Sequence, residues 1–127
     1  MGKRILVVDD SEVVLAMAAE ALEEGGFEVV TAPDARDAGA LIFAERMPDL
    51  IILDVMLPDL DGDKKAKKLK DDERTRSIPI LLLSSKTEEE LRWLVKVSGA
   101  DGFIRKPFGH RQLVEQVEAA LGTPGKE

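Results

Sequence analysis

Asp9 and Asp10 follow the apolar run Ile5-Leu6-Val7-Val8, and Asp54 follows Leu50-Ile51-Ile52-Leu53. Ser84 and Ser85 follow Ile80-Leu81-Leu82-Leu83, and Lys106 comes just after Gly102-Phe103-Ile104. These are three carboxylates, a hydroxyl pair and an ammonium, each placed where a short apolar segment gives way to polar chain. Brought together, the carboxylates repel one another by on the order of a few kcal/mol per close pair at surface-like screening. Lys106 supplies one compensating charge, and a divalent cation supplies two more. Mg2+ favours a few carboxylates with a carbonyl and waters. Asp10 and Asp54 are therefore expected as direct ligands, Asp9 as a ligand directly or through water, and the backbone carbonyl of Met56 as a further one. A carboxylate held this way can attack phosphorus. Asp54 then forms an acyl phosphate, while the metal and Lys106 neutralise the equatorial oxygens and a serine hydroxyl donates to one of them. An acyl phosphate is labile, which suits a signal that must decay.

That chemistry requires distant segments to share one edge. Three of the five apolar runs are continuous rather than alternating, as expected of strands covered on both faces in a parallel sheet. The fifth run is Phe27-Glu28-Val29-Val30. Between the runs lie helical patterns. Ser11 can cap the first, with Val14, Met17, Ala18, Ala21 and Leu22 at helical spacing and Gly25-Gly26 as its stop. Pro33-Asp34 opens the second, and Pro48 follows its end. The third, about 61–71, carries Lys64, Lys65, Lys67, Lys68 and Lys70, with Ala66 and Leu69 as core contacts. Thr87 with Glu90 reads as a capping box for the fourth. Leu113, Val114, Val117, Ala120 and Leu121 form the apolar stripe of the fifth. A βα unit repeated five times, with right-handed crossovers, gives an α/β fold with helices on both faces of a parallel sheet. Ligand sites in such sheets lie beyond the carboxyl ends of the strands, where the polar residues above fall.

Composition narrows the function classes. The chain has 127 residues, 44% of them hydrophobic and 34% charged, which suits one globular domain. It has no Cys, hence no disulfide framework and no thiolate zinc site, and a single His. The net charge of −7 argues against direct nucleic-acid binding. No apolar run approaches the ~20 residues of a membrane span, and Met1-Gly2-Lys3-Arg4 leads into a strand, not a signal peptide. A cytoplasmic location is the expectation. Residues 1–121 are read as the domain and 122–127 as a frayed tail or linker stub.

Asp9-Asp10, the stretch Asp54-Val55-Met56-Leu57-Pro58-Asp59-Leu60-Asp61-Gly62, Ser84-Ser85-Lys86 and Lys106-Pro107-Phe108 resemble, in this order, the motifs of response-regulator receiver domains of two-component signalling. The resemblance covers roughly residues 4–121. It implies a flavodoxin-like five-stranded parallel sheet in order 2-1-3-4-5. It implies Asp54 as the acceptor of a phosphoryl group from a histidine of a sensor kinase or a histidine phosphotransfer protein. Asp9 and Asp10 become the acid pocket for Mg2+, and Lys106 the residue that holds the phosphoryl group. Ser84 would shift toward that group on activation, with Phe103 turning inward as the switch aromatic. It also implies a cis bond before Pro107, which turns the lysine back over the site. The output partner, or a second copy in a homodimer, would use helix 4, strand 5 and helix 5.

Other readings compete. Taken alone, Asp9-Asp10 is an ordinary acid pair at a helix N-terminus, Ser84-Ser85 is turn chemistry, and Lys106 is a surface lysine. The lysines of the third helix read as a solvated face, offset by Asp71, Asp72 and Glu73, and His110 as a surface residue. A flavin-binding module needs a Ser/Thr/Gly-rich phosphate loop after the first strand, where this chain has Asp9-Asp10. An aspartate-nucleophile phosphatase wants a second Asp where Met56 stands. A degenerate receiver serving as a binding platform does not need the intact acid pocket. A receiver fragment of a longer regulator stays open beside a complete single-domain protein.

Helix 4 raises a further question. Leu91, Leu94 and Val95 share one stripe, while Trp93 and Val97 share another, with Trp93 about 160° from Val95. Either both stripes are buried, one on the sheet and one on helix 5, or the second is left exposed as a partner surface.

Overall fold

A computed structural model describes residues 2–122. The tail expected at 122–127 therefore lies, beyond Gly122, outside the described residues. The strands are β1 (Arg4–Val8), β2 (Glu28–Ala32), β3 (Leu50–Asp54), β4 (Ile80–Ser84) and β5 (Gly102–Arg105). The helices between and after them are α1 (Glu12–Glu24), α2 (Ala35–Ile42), α3 (Gly62–Asp71), α4 (Glu88–Ser98) and α5 (His110–Leu121). The strands form one sheet in order β2-β1-β3-β4-β5, parallel throughout. The α/β fold with order 2-1-3-4-5 is as expected from the sequence.

The continuous apolar runs follow from the pleat. Successive side chains point to opposite faces, and each face here has its own core. Leu6, Val8, Ile51, Leu53, Ile80 and Leu82 pack under Ala38, Ile42, Ala66, Leu69 and Leu91 of α2, α3 and α4. Ile5, Val7, Leu50, Ile52, Leu81 and Leu83 pack under Ala18, Leu22, Leu113 and Val117 of α1 and α5. Neither parity can be polar, so the strands show no alternation.

Helix starts are fixed by side-chain caps. Ser11 Oγ accepts from Val14 N at 3.3 Å, Asp34 Oδ1 from Asp37 N at 2.7 Å, and Thr87 Oγ1 from Glu90 N at 3.1 Å. At α4 the reciprocal half of the capping box differs from expectation, because the Thr87 hydroxyl donates to Glu90 Oε1. Gly26 stands at φ 94° just past α1, a conformation that favours glycine. α3 has no side-chain cap and buries only Gly62, Ala66 and Leu69. The second stripe of α4 is left outside, with Trp93 62% and Val97 43% exposed while Leu91 is fully buried. Among the described residues no helix is long and apolar enough to cross a membrane.

Candidate metal and phosphoryl site

The register sets the strand ends side by side: Val8 opposite Leu53, Asp54 opposite Leu83, and Ser84 opposite Arg105. Residues that end or follow these strands therefore converge on one edge. Asp9 is fully buried. Its backbone N donates to Ala32 O at 3.1 Å and its Oδ1 accepts from Ser11 N at 2.9 Å, which fixes the carboxylate at the start of α1. Asp54 closes β3 and is 4% exposed. Its Oδ1 accepts from Met56 N at 3.2 Å. Carboxylate oxygens of Asp9, Asp10 and Asp54 lie within 4.8 Å of one another.

Lys106 reaches this cluster from β5. Its backbone N donates to Ser84 O at 2.9 Å, and the peptide bond to Pro107 is cis. Its Nζ sits 2.7 Å from Asp9 Oδ2 and 3.6 Å from Asp54 Oδ2. The nearer contact is an ion pair without hydrogen-bond alignment, so the buried Asp9 Oδ2 receives no hydrogen bond. One ammonium thus faces three carboxylates. The imbalance shows in Asp54, whose pKa is pushed up to about 6. Burial is the largest cause and repulsion from Asp9 the next; Lys106 and the Met56 N–H pull the other way, and Asp10 adds to the rise.

A divalent cation fits this donor set. Three acidic side chains, one of them fully buried and balanced only by the Lys106 ion pair, supply hard oxygen ligands at one point. Met56 is 66% exposed, and its backbone lies beside Asp54 through the bond to Oδ1.

Ser84 closes β4, the strand next to the lysine's own, and Phe103 lies on β5 three residues before the lysine. Ser84 is buried, and its Oγ accepts from Lys86 N at 3.0 Å, which ties it to the following loop. Ser85 is exposed. Phe103 is half-buried against the core beneath α2, α3 and α4.

Two residues have structural parts the sequence reading did not assign. A Cβ on Gly62 would lie 1.9 Å from Asp54 O, and Gly62 N donates to Val55 O at 2.7 Å. Glycine there lets α3 press against the Asp54 backbone at the end of β3 without displacing it. The available signal was a glycine opening a helix, a position that ordinarily weakens one and so calls for a packing reason. Asp59 accepts from Ala35 N and Arg36 N, both at 2.9 Å, joining the loop after β3 to α2. No local pattern marks it.

The model of the response regulator receiver domain matches residues 5–118. The chain belongs to the response-regulator receiver family. It is 44% identical over 125 residues to the phosphate regulon transcriptional regulatory protein PhoB of Pseudomonas aeruginosa, covering 98% of this chain and 54% of that protein. It is 42% identical over 121 residues to the alkaline phosphatase synthesis transcriptional regulatory protein PhoP of Bacillus subtilis, covering 95% and 49%. The chain thus spans about half the length of the curated relatives it matches. Among solved structures it resembles the response regulator of Chloroflexus aurantiacus at a TM-score of 0.90 and 30% identity, covering 96% of this chain and 99% of that one. It also resembles the chemotaxis protein CheY4 of Vibrio cholerae at a TM-score of 0.87 and 32% identity, covering 94% and 99%. Receiver domains of this family are phosphoacceptor modules of signalling regulators and not, in general, enzymes with a substrate of their own.

Proposed function

We propose that Asp54 accepts the phosphoryl group, drawn from a phosphohistidine of a sensor histidine kinase or a histidine phosphotransfer protein. The single observation that carries this is the excess of carboxylate over ammonium at one strand edge, where Asp9, Asp10 and Asp54 cluster around Lys106 and Asp54 is pushed up to about 6. Asp9, Asp10, Asp54 and the Met56 carbonyl would hold Mg2+, which when bound supplies positive charge to the carboxylates and to the transferring phosphoryl oxygens. At neutral pH Asp54 is mostly ionised and can attack phosphorus in line, while the histidine nitrogen leaves. Lys106, already 3.6 Å from Asp54 Oδ2, then stabilises charge on an equatorial oxygen. Ser84 reaches another once its Oγ leaves the Lys86 N–H, and Phe103 can then turn toward the space it vacates.

The output reading follows from α4. Trp93 and Val97 stay exposed after both cores are filled, and β5 carries Phe103 beside that helix. A partner, or a second copy, is proposed to bind across α4, β5 and α5 when Ser84 and Phe103 have moved. The curated relatives are about twice as long and are named as transcriptional regulators, which supports the alternative that this chain acts as the receiver part of a longer regulator.

The test is phosphoryl uptake from acetyl phosphate with Mg2+, read by intact mass. One phosphoryl group should be added, chelation should suppress it, and Asp54→Ala should abolish it. Uptake that persists in Asp54→Ala would overturn the assignment.

A further inference from the structure

The first N–H groups of a helix have no partner within the helix. At α2 they are satisfied from two directions. Asp34 belongs to the helix's own start and takes Asp37 N at 2.7 Å on its side chain and Ala38 N at 3.1 Å on its carbonyl. Ala35 N and Arg36 N instead donate to Asp59, one to each carboxylate oxygen, both at 2.9 Å. Asp59 lies on the loop between β3 and α3, after Asp54. Its carboxyl is held below the usual carboxylate range, first by the Ala35 N–H; burial opposes this, and the Arg36 N–H adds to the lowering. Lys65 of α3 faces the same carboxylate.

The loop from Val55 to Asp61 has its other fixed points near its base or on its inner side. Val55 N donates to Leu83 O at 3.0 Å and Gly62 N to Val55 O at 2.7 Å, while Leu57 is 7% exposed. Met56 lies between these points; its N donates to Asp54 Oδ1 at 3.2 Å while the residue is otherwise 66% exposed. Asp59 is the polar tie on the loop's outer side. A carboxylate across two N–H groups at a helix N-terminus is a charge-assisted, two-point contact, so it sets the loop's direction as well as its distance.

We infer that Asp59 is a positioning residue for the metal pocket: by clamping the loop to α2 it presets the Met56 backbone next to Asp54. This rests on the reading of Asp9, Asp10 and Asp54 as a magnesium pocket, and touches neither the ion nor the phosphoryl group directly. Outer residues that orient metal ligands typically carry about 10–100-fold of metal affinity.

The experiment is calorimetric Mg2+ titration of the wild-type chain, Asp59→Ala, Asp59→Asn and Asp34→Ala, with thermal unfolding recorded for each. Asp34→Ala removes a cap from the same helix end but leaves the loop tied, so it separates clamping from helix stability. Asp59→Ala should bind Mg2+ about tenfold more weakly. Asp59→Asn, which keeps one good acceptor, should fall between, and Asp34→Ala should bind as the wild type does. Amide exchange at Met56 should quicken in Asp59→Ala and not in Asp34→Ala. Wild-type affinity in Asp59→Ala, or equal weakening in Asp34→Ala, overturns the inference. No Mg2+ binding by the unsubstituted chain overturns the pocket itself, a result seen before any variant is made.

Discussion

The two edges of the sheet treat charge in opposite ways. At the amino edge charges are paired off. Glu28 on β2 sits between Arg4 and Arg46, and its pKa is lowered, chiefly by the hydrogen bond from Arg4. Asp49 Oδ2 takes Arg4 N at 2.7 Å. Asp101 Oδ2 takes both Ile80 N and Lys70 Nζ at 2.8 Å, and Lys70 also donates to Ile78 O at 2.8 Å. At the carboxyl edge three carboxylates share one ammonium, and the Asp54 pKa rises to about 6. Strand ends of one sheet thus hold a carboxylate that is more acidic than usual and one that is less so. The paired edge fixes strand register, and the unpaired edge is left for a ligand to complete.

The largest expected effect breaks the carboxyl edge. Lys106→Ala removes the ammonium paired with Asp9 and Asp54 while leaving Asp54 in place. Phosphoryl uptake from acetyl phosphate, followed by intact mass, should slow by about 10²–10³-fold, the scale of losing one preorganised charge partner. A rate within a few-fold of wild type would mean that the cation alone supplies the compensation. The matching cut at the amino edge is Lys70→Met. Its side chain is 15% exposed, and its loss leaves Asp101 and a buried carbonyl short of a donor. Stability should fall by about 1–3 kcal/mol in chemical denaturation, with Mg2+ affinity unchanged. If Lys70→Met weakened Mg2+ binding, the two edges would not be independent.

A smaller effect sharpens the comparison through pH. The folded-state pKa of Asp54 lies above its unfolded value, so folding favours the protonated form. Below both values the group contributes nothing. As pH rises through about 6, the folded chain without metal must ionise Asp54 against burial and Asp9, and stability is lost. Asp54→Asn removes that loss. It should stabilise the metal-free chain by on the order of 1–2 kcal/mol at pH 8, once solvent screening is allowed for. The gain should fade toward pH 4. A gain that is flat with pH would point to packing instead of charge.

The fold was legible in the sequence wherever one residue type has one structural use. Short continuous apolar runs rich in Ile, Leu and Val suit strands covered on both faces, Ser11 caps α1 as read, and Asp34 stands where the second helix was read to open. The pocket was legible because Asp9, Asp10, Asp54 and Lys106 fall at strand ends, and parallel strands bring their ends together. What could not be read depends on contact between segments. Gly62 matters through the Asp54 backbone 1.9 Å from its missing Cβ. Asp59 matters through two N–H groups more than twenty residues earlier. Helical periodicity at α4 found two apolar stripes but could not say whether the second, with Trp93 and Val97, is buried or left exposed.

That stripe gives the smallest expected effect on stability. Trp93 is 62% and Val97 43% exposed. Polar replacement of either removes little buried apolar surface, so Trp93→Gln and Val97→Ser should each change stability by no more than about 0.5 kcal/mol. A core position such as Leu91, fully buried, should instead lose about 2–5 kcal/mol when cut to Ala. The informative measurement is association, by sedimentation with and without acetyl phosphate. If the exposed stripe is the output face, the phosphorylated chain should gain an associated species that Trp93→Gln lacks, while uptake of the phosphoryl group stays at the wild-type rate. This ties the unpaired edge to a surface some distance from it. Phosphorylation at Asp54 would change charge only at the carboxyl edge, where Ser84 closes β4, and the neighbouring β5 carries Phe103 against α4. Association that is equal with and without phosphoryl donor, or equal in Trp93→Gln, would show that the charge left uncompensated at the pocket has no reader on α4.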